Sequence, residues 1–353
     1  MSRKGVLSAA ALSASALVLR SQSARAAGAA PPGGGASAPV VDVHGHAITA
    51  ALESQMQARG SRLLDGRELP TWDAASARSF MDRQGIDLQL LSTPDPALSF
   101  VDEAGTVGAA RAVNDELADV VASAPARFGA LAVLPLRAGP GPAITELRRA
   151  TDRLGMDGVV LPTGVAGRLL GDPVYMPVLA ELSRRRIPAL VHPVAPGVDA
   201  RPEHQGATAD TLEHAFASVR CAASLLYGGA FLRAPHLRLV FGAGGGGLPF
   251  VASRVALADQ ALQAELFIRP LRRLSFDLAQ STAPGAVRSM RAFVRSPSQL
   301  LYGSDWPLVP EQSLAAALDA VTLPDQLAVR GAAALRLFPR LASRLRLPPA
   351  VPR

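Results

Sequence analysis

Short apolar runs alternate with longer amphipathic stretches along most of the chain. Eight of the runs read as strands, at residues 40–44, 87–92, 128–135, 158–162, 187–192, 237–241, 274–278 and 300–303. Between them the spacing of apolar positions predicts helices over 76–84, 108–124, 143–154, 174–185, 212–227, 249–263 and 284–293, with a final helical stretch over 314–345. Strand-like runs that alternate with helical segments build βα units and a parallel sheet. Eight such strands over this length make a closed (β/α)8 TIM barrel the first choice and an open doubly wound sheet the second. No repeat of fixed period is visible.

Length and composition fit this picture. The chain has 353 residues, 49% of them hydrophobic, which accommodates one barrel of about 250 residues with a tail, or two smaller domains. Cysteine occurs once, at Cys221, so neither an intrachain disulfide nor a cysteine zinc finger is available, and any metal must be held by His and Asp.

The N-terminus changes how the charge is read. Residues 1–26 open on Ser2-Arg-Lys-Gly, continue through an alanine-rich apolar stretch, and end in Ala24-Arg-Ala26, a small-x-small cleavage pattern; together these read as an export signal. Ser-Arg-Lys approximates a twin-arginine signal, and a general secretion signal is the alternative. The apolar stretch falls short of the roughly 20 residues a membrane span needs, so the mature chain is expected to carry no stable span and to be periplasmic or extracellular. Removing this segment takes away Arg3, Lys4, Arg20 and Arg25 and lowers the net charge from +7 to +3. No basic run with interleaved aromatic residues remains, which argues against nucleic acid as a partner. Residues 27–38 form a Gly/Pro/Ala linker, 39–345 the barrel, and the arginine- and proline-rich end beyond 340 lies at the surface, with 346–353 as a tail.

The candidate chemistry starts at Asp42-Val-His-Gly-His46. Alternate residues of a strand point to one side, so His44 and His46 face the same way from the end of the first strand. Alone, such a pair is as well explained by histidines satisfied by backbone. His192 ends the fifth strand-like run, however, and Asp305 follows the eighth in Tyr302-Gly-Ser-Asp-Trp-Pro307. In a TIM barrel the carboxyl ends of all strands meet at one mouth, so these four would converge there. Three neutral imidazoles and a carboxylate suit Zn²⁺ or another divalent transition ion, with a position left for water or substrate.

These motifs, together with Ala126-Arg-Phe-Gly-Ala-Leu-Ala-Val-Leu-Pro135, Gly171-Asp-Pro-Val-Tyr175, Val191-His-Pro193 and Ala243-Gly-Gly-Gly-Gly-Leu-Pro249, carry a resemblance to the amidohydrolase superfamily. Within it the chain is most similar to the branch of aminocarboxymuconate semialdehyde decarboxylase and the 6-methylsalicylate decarboxylase-type proteins. The resemblance covers residues 40–338. It implies that His44, His46, His192 and Asp305 are metal ligands and that Arg254 meets a substrate carboxylate across a homodimer interface. It also implies a histidine with an acid/base role ahead of the strand 6 glycine run, where this chain has Ala243.

Other residues are open to two readings. His214 could approach the mouth from the start of its helix and stand in as a catalytic group, or be an exposed helical histidine. His204 in the preceding loop has the same ambiguity, and His236 is expected at the opposite end of the barrel. Phe241 and Trp306 flank the mouth and could stack on an aromatic substrate, or serve as core. The glycine run lacks the lysine of a P-loop and reads as a tight turn near the pocket. Loops 49–69 and 194–211 are expected to shape that pocket.

The function expected from all this is an exported zinc-dependent decarboxylase of a small aromatic acid, with Asp305 in proton traffic. The alternative is a hydrolase of a lactone, ester or amide using Asp305 as general base, and the third reading is a degenerate barrel that binds metal or a small acid.

Overall fold

The computed structural model describes residues 39–195, 209–257, 269–311, 326 and 328–346. The export signal, the linker, His204 and the last seven residues of the tail lie outside the described residues.

Eight parallel strands form one sheet in chain order. They are β1 (Val41–His46), β2 (Leu88–Ser92), β3 (Phe128–Val133), β4 (Gly158–Pro162), β5 (Pro188–His192), β6 (Arg238–Phe241), β7 (Ser275–Asp277) and β8 (Leu300–Leu301). Strands β2, β3, β4 and β5 are buried at every position, as strands covered on both faces must be. Closure onto β1 is made by the segment that follows the short β8. Val43 N–H donates to Tyr302 O at 3.0 Å, Asp305 N–H to His44 O at 2.7 Å and His46 N–H to Trp306 O at 2.8 Å. All eight predicted strands are present, so the closed barrel holds over the open sheet.

The helices between strands start and stop where local chemistry says they should. Ala74–Gln84 begins on Asp73, whose side chain accepts from Ser76 N–H in a capping box, and ends on Gly85 at φ +64°. Pro140 and Pro284 open their helices at the first position, where a missing N–H costs nothing. Among the described residues no helix is long and apolar enough to cross a membrane.

Two stretches differ from expectation. Residues 49–69 contain a helix, α1 (Ala50–Ala58), capped by the Thr49 hydroxyl, and an antiparallel hairpin pairing Leu63–Leu64 with Arg67–Glu68. The hairpin turns on Asp65 and Gly66, at φ +52° and +84°, the left-handed pair that an Asp-Gly turn provides. At the other end, the single helix expected over 314–345 is broken within its described part. Ala333–Leu337 stops at Phe338, φ −111° and ψ 80°, because Pro339 disfavours helical backbone at the residue before it. Arg340–Arg344 then forms a separate turn. This end lies at the surface, with Arg340 and Ser343 exposed, and is docked there: Arg340 donates to Met156 O at 2.7 Å, Arg344 to Asp157 at 2.9 Å, and Leu341 is fully buried.

Candidate metal centre

His44 and His46 leave β1 on the same side, His192 ends β5, and Asp305 stands just past β8. Their rings meet edge to face, with centroids 5.0 Å apart for His44 and His46, 5.1 Å for His44 and His192, and 4.9 Å for His46 and His192. One donor atom from each of the four residues lies within 4.8 Å of the others, and all four residues are buried. Asp305 Oδ1 lies 2.9 Å from His46 Nε2 and 3.6 Å from His44 Nε2.

Backbone strain puts Asp305 there. It adopts φ +56°, a left-handed conformation that non-glycine residues adopt sparingly and that surrounding contacts must over-determine. The bond from Asp305 N–H to His44 O is one of those contacts. Asp42 supplies the rest: its buried carboxylate accepts from Ser304 N–H at 3.0 Å, Ser304 Oγ at 2.6 Å and Gln89 Nε2 at 2.8 Å. Asp42 thereby joins β1 and β2 to the loop that carries Asp305. Gly303 is required beside it, since a Cβ there would fall 2.9 Å from His44 Cβ.

The imidazoles are oriented from outside the cluster. Asp277, at the end of β7, accepts from His44 Nδ1 at 2.9 Å, and Ser92 Oγ lies 3.2 Å from His46 Nδ1. This arrangement leaves His44 Nε2 and His192 Nδ1 buried without a hydrogen-bond partner. Orphaned imidazole nitrogens beside a buried carboxylate are what a cation site leaves when only its protein part is considered, because buried polar groups otherwise find partners. The electrostatics agree. Burial works against charge on every member, and it holds His46 and His192 below the usual imidazole range. His44 is nonetheless raised to about 9 by Asp277 and Asp305, while the neighbouring imidazoles hold Asp305 below the usual carboxylate range despite its burial. Imidazoles held toward the neutral form at His46 and His192 beside an ionised Asp305 are what metal ligation needs, and three imidazoles with one carboxylate fit a divalent transition ion.

Above the cluster lies a cavity of about 240 Å³, smaller than the roughly 300–1,000 Å³ of drug-sized pockets and suited to one small ring. Ala243 and His214 line it, together with Asp65 and Arg67 from the hairpin. His214, on helix α2 (Ala209–Tyr227), is not the exposed helical histidine of the alternative reading. Its side chain is 16% exposed and its Nε2 lies 2.7 Å from Asp65 Oδ2.

Three further sequence candidates lie elsewhere. Phe241 is fully buried against Phe276, with centroids 6.3 Å apart. Trp306 stacks on Phe80 at 4.7 Å, with ring planes within 4° of parallel. Neither lines the cavity, because both side chains leave the barrel wall toward its hydrophobic layers. Arg254 is exposed on helix α3 (Leu248–Leu257), away from the cavity of its own chain.

Asp277, Asp65 and Gln280 were not anticipated. Asp277 lies within the strand-like run 274–278, and the Asp65-Gly66 pair is a hairpin signal, so both left a local trace. Gln280, whose Nε2 donates to Asp305 Oδ2 at 2.5 Å, left none.

Comparison with known proteins agrees with this architecture. The sequence profile described as amidohydrolase matches residues 41–340. A 6-methylsalicylic acid decarboxylase of Penicillium expansum is 27% identical over 315 residues, covering 85% of this chain and 96% of that protein. A crystal structure described as an amidohydrolase II superposes with a TM-score of 0.79 at 25% identity, over 85% of this chain and 99% of the other. The dihydroxybenzoic acid decarboxylase from Polaromonas sp. JS666, solved with bound manganese and the inhibitor 2-nitroresorcinol, superposes with a TM-score of 0.72 at 21% identity, over 85% of this chain and 97% of that one.

Proposed function

The chain belongs to the amidohydrolase family, and from that premise we propose that it is an exported, zinc-dependent decarboxylase of a small aromatic acid of the 6-methylsalicylate kind. The observation that carries the reading is a buried three-histidine, one-aspartate cluster at the floor of a cavity sized for one ring. The naming of the Penicillium expansum relative as a 6-methylsalicylic acid decarboxylase supports the substrate class.

His44, His46, His192 and Asp305 would hold the metal, which supplies Lewis-acid polarisation of a carboxylate and its ortho hydroxyl. Zinc is the first choice because imidazole nitrogen dominates the donor set. The protein's own part is to orient and enclose. Asp277 and Ser92 fix the rings of His44 and His46, Gln280 fixes the second oxygen of Asp305, and Arg67 presents a guanidinium at the cavity wall to an anionic acid.

Position 243 bears on the rate. A methyl group there has no proton to give, and acid/base assistance is worth typically about 10²–10⁴-fold, so turnover depends on another donor. Hydrolysis of a lactone or ester, which could lean on Asp305 alone, is the reading that this alanine favours second.

A homodimer completes the proposal. Phe250 is 73% and Phe216 55% exposed, on helices α3 and α2, and Arg254 is exposed on the same helix as Phe250. Pairing through this apolar face would cover the two phenylalanines and carry Arg254 toward a second copy's cavity.

The experiment is carbon dioxide release by the zinc-loaded protein, as the full chain and from Ala27 onward, with a panel of hydroxybenzoates that includes 6-methylsalicylate. Release abolished by a chelator is the expected result. Silence from a metal-loaded protein that cleaves lactones or esters would replace decarboxylation with hydrolysis.

A further inference from the structure

Replacing a carboxylate by hydrogen requires a proton at the ring carbon, and few groups on the cavity wall can deliver one. Outside the metal cluster the titratable residues lining it are Asp65, Arg67, Asp210 and His214. Arg67 is engaged with Asp210 at 2.7 Å and with Leu308 O at 2.9 Å, and a guanidinium does not give up its proton. Asp305 has Oδ1 among the imidazoles and Oδ2 accepting from Gln280. His214 remains.

Its placement is built rather than incidental. The ring is one neighbour away from the metal cluster, with its centroid 6.3 Å from that of His192. Asp65 stands against Nε2 at 2.7 Å, and among the described residues Nδ1 has no hydrogen-bond partner. The hairpin bearing Asp65 is strapped to the start of α2 twice, by the Asp65–His214 pair and by Arg67–Asp210. On the other side, the glycine run after Ala243 admits the helix: a Cβ on Gly246 would lie 2.2 Å from Ala215 O, next in sequence to His214. Glycine at 246 therefore lets α2 and its histidine close on the pocket.

We propose that His214 is the catalytic proton donor of the decarboxylation and that Asp65 is its positioning residue. The assignment rests on the decarboxylase reading above. The ring carbon takes the proton from Nδ1, forming a carbon–hydrogen bond with a π pair of the ring. The bond to the carboxylate carbon then breaks, its electron pair restores the aromatic system, and carbon dioxide leaves. The neutral imidazole regains its proton from solvent.

The test uses the full-length zinc-loaded chain with 6-methylsalicylate and related hydroxybenzoates. His214→Gln is expected to lower kcat by about 10²–10⁴-fold with metal content and circular dichroism unchanged and KM little altered. Asp65→Asn should lose about 10-fold in kcat, as expected when the donor survives but its orientation is relaxed. Adding Ala243→His should raise the His214→Gln variant by at least about 10-fold more than it raises the parent, a difference that a merely structural role of His214 would not produce. An active parent whose His214→Gln variant keeps kcat within about threefold, or an Ala243→His gain no larger in that variant than in the parent, overturns the assignment alone. A metal-loaded parent inactive on every acid overturns the decarboxylase reading and this role together.

Discussion

Nδ1 of His44 stands 2.9 Å from Oδ2 of Asp277, while Oδ1 of the same carboxylate accepts from Ala243 N–H and Ala279 N–H, each at 3.0 Å. One β7 side chain thus holds a β1 imidazole and the loop after β6. Asp277→Asn keeps the shape but cannot satisfy both sides: an amide oxygen turned to the backbone N–H groups leaves its NH₂ facing His44. The imidazole proton must then move to Nε2, the nitrogen that faces the cluster. Metal affinity should fall about 10–100-fold, read by competition with a chromophoric chelator, and unchanged affinity would show that Asp277 only braces the loop.

His192 Nδ1 is buried without a partner. His192→Ala should purify with less than half the parent's metal, measured by plasma mass spectrometry after dialysis, while far-ultraviolet circular dichroism stays the same. Chelator treatment of the parent should lower Tm by several degrees, since a ligand at 1,000 times its Kd stabilises by about 4 kcal/mol. Equal metal in the two proteins would remove His192 from the site.

Gly246 adopts φ +62° and ψ −129°, a region open to glycine almost alone, and its absent side chain is what admits α2. Gly246→Ala should lower Tm and reduce kcat by more than about 10-fold at full metal occupancy, because a displacement near 1 Å can cost about 10² in rate. Thermal unfolding and kcat on the same preparation check this. A variant with parental values for both would mean that α2 can be seated without the glycine.

Asp95 is fully buried behind the cavity wall, and burial raises its carboxyl to about 6, with the charge of Asp65 adding to the effect against two bonds from Ser99. A carboxyl with a raised pKa holds its proton more tightly folded than unfolded. The stability it contributes is therefore present below the ordinary value of 3.8 and is lost as pH rises through about 6. Asp95→Asn removes that loss, so the variant should exceed the parent at pH 7 by on the order of 2 kcal/mol and lose the advantage toward pH 4. Denaturant unfolding at both pH values decides it, and an equal difference at the two would refute the assignment.

Chelation, proton delivery and pocket shape were unequally legible in the chain. The eight strands and their order were readable because a run such as Phe128–Val133, with no polar side chain at any position, is a local property that survives any arrangement of its neighbours. The four residues able to hold a metal could be read for the same reason: His44, His46, His192 and Asp305 each stand at or near a strand end, and barrel closure brings those ends to one mouth. The direction of Phe241 and Trp306 was not, because strand ends leave a side chain free to turn inward or into the wall, and packing against Phe276 and Phe80 settles which. Nor were the pairs that orient the chemistry. Asp65 and His214 are 149 residues apart, and His44 and Asp277 are 233 apart. Sequence by itself determined which residues could bind a metal and on which strands they ride. Only the tertiary structure decided which carboxylate faces which imidazole, since that depends on how the strands stagger on closing and how far a glycine lets a helix approach.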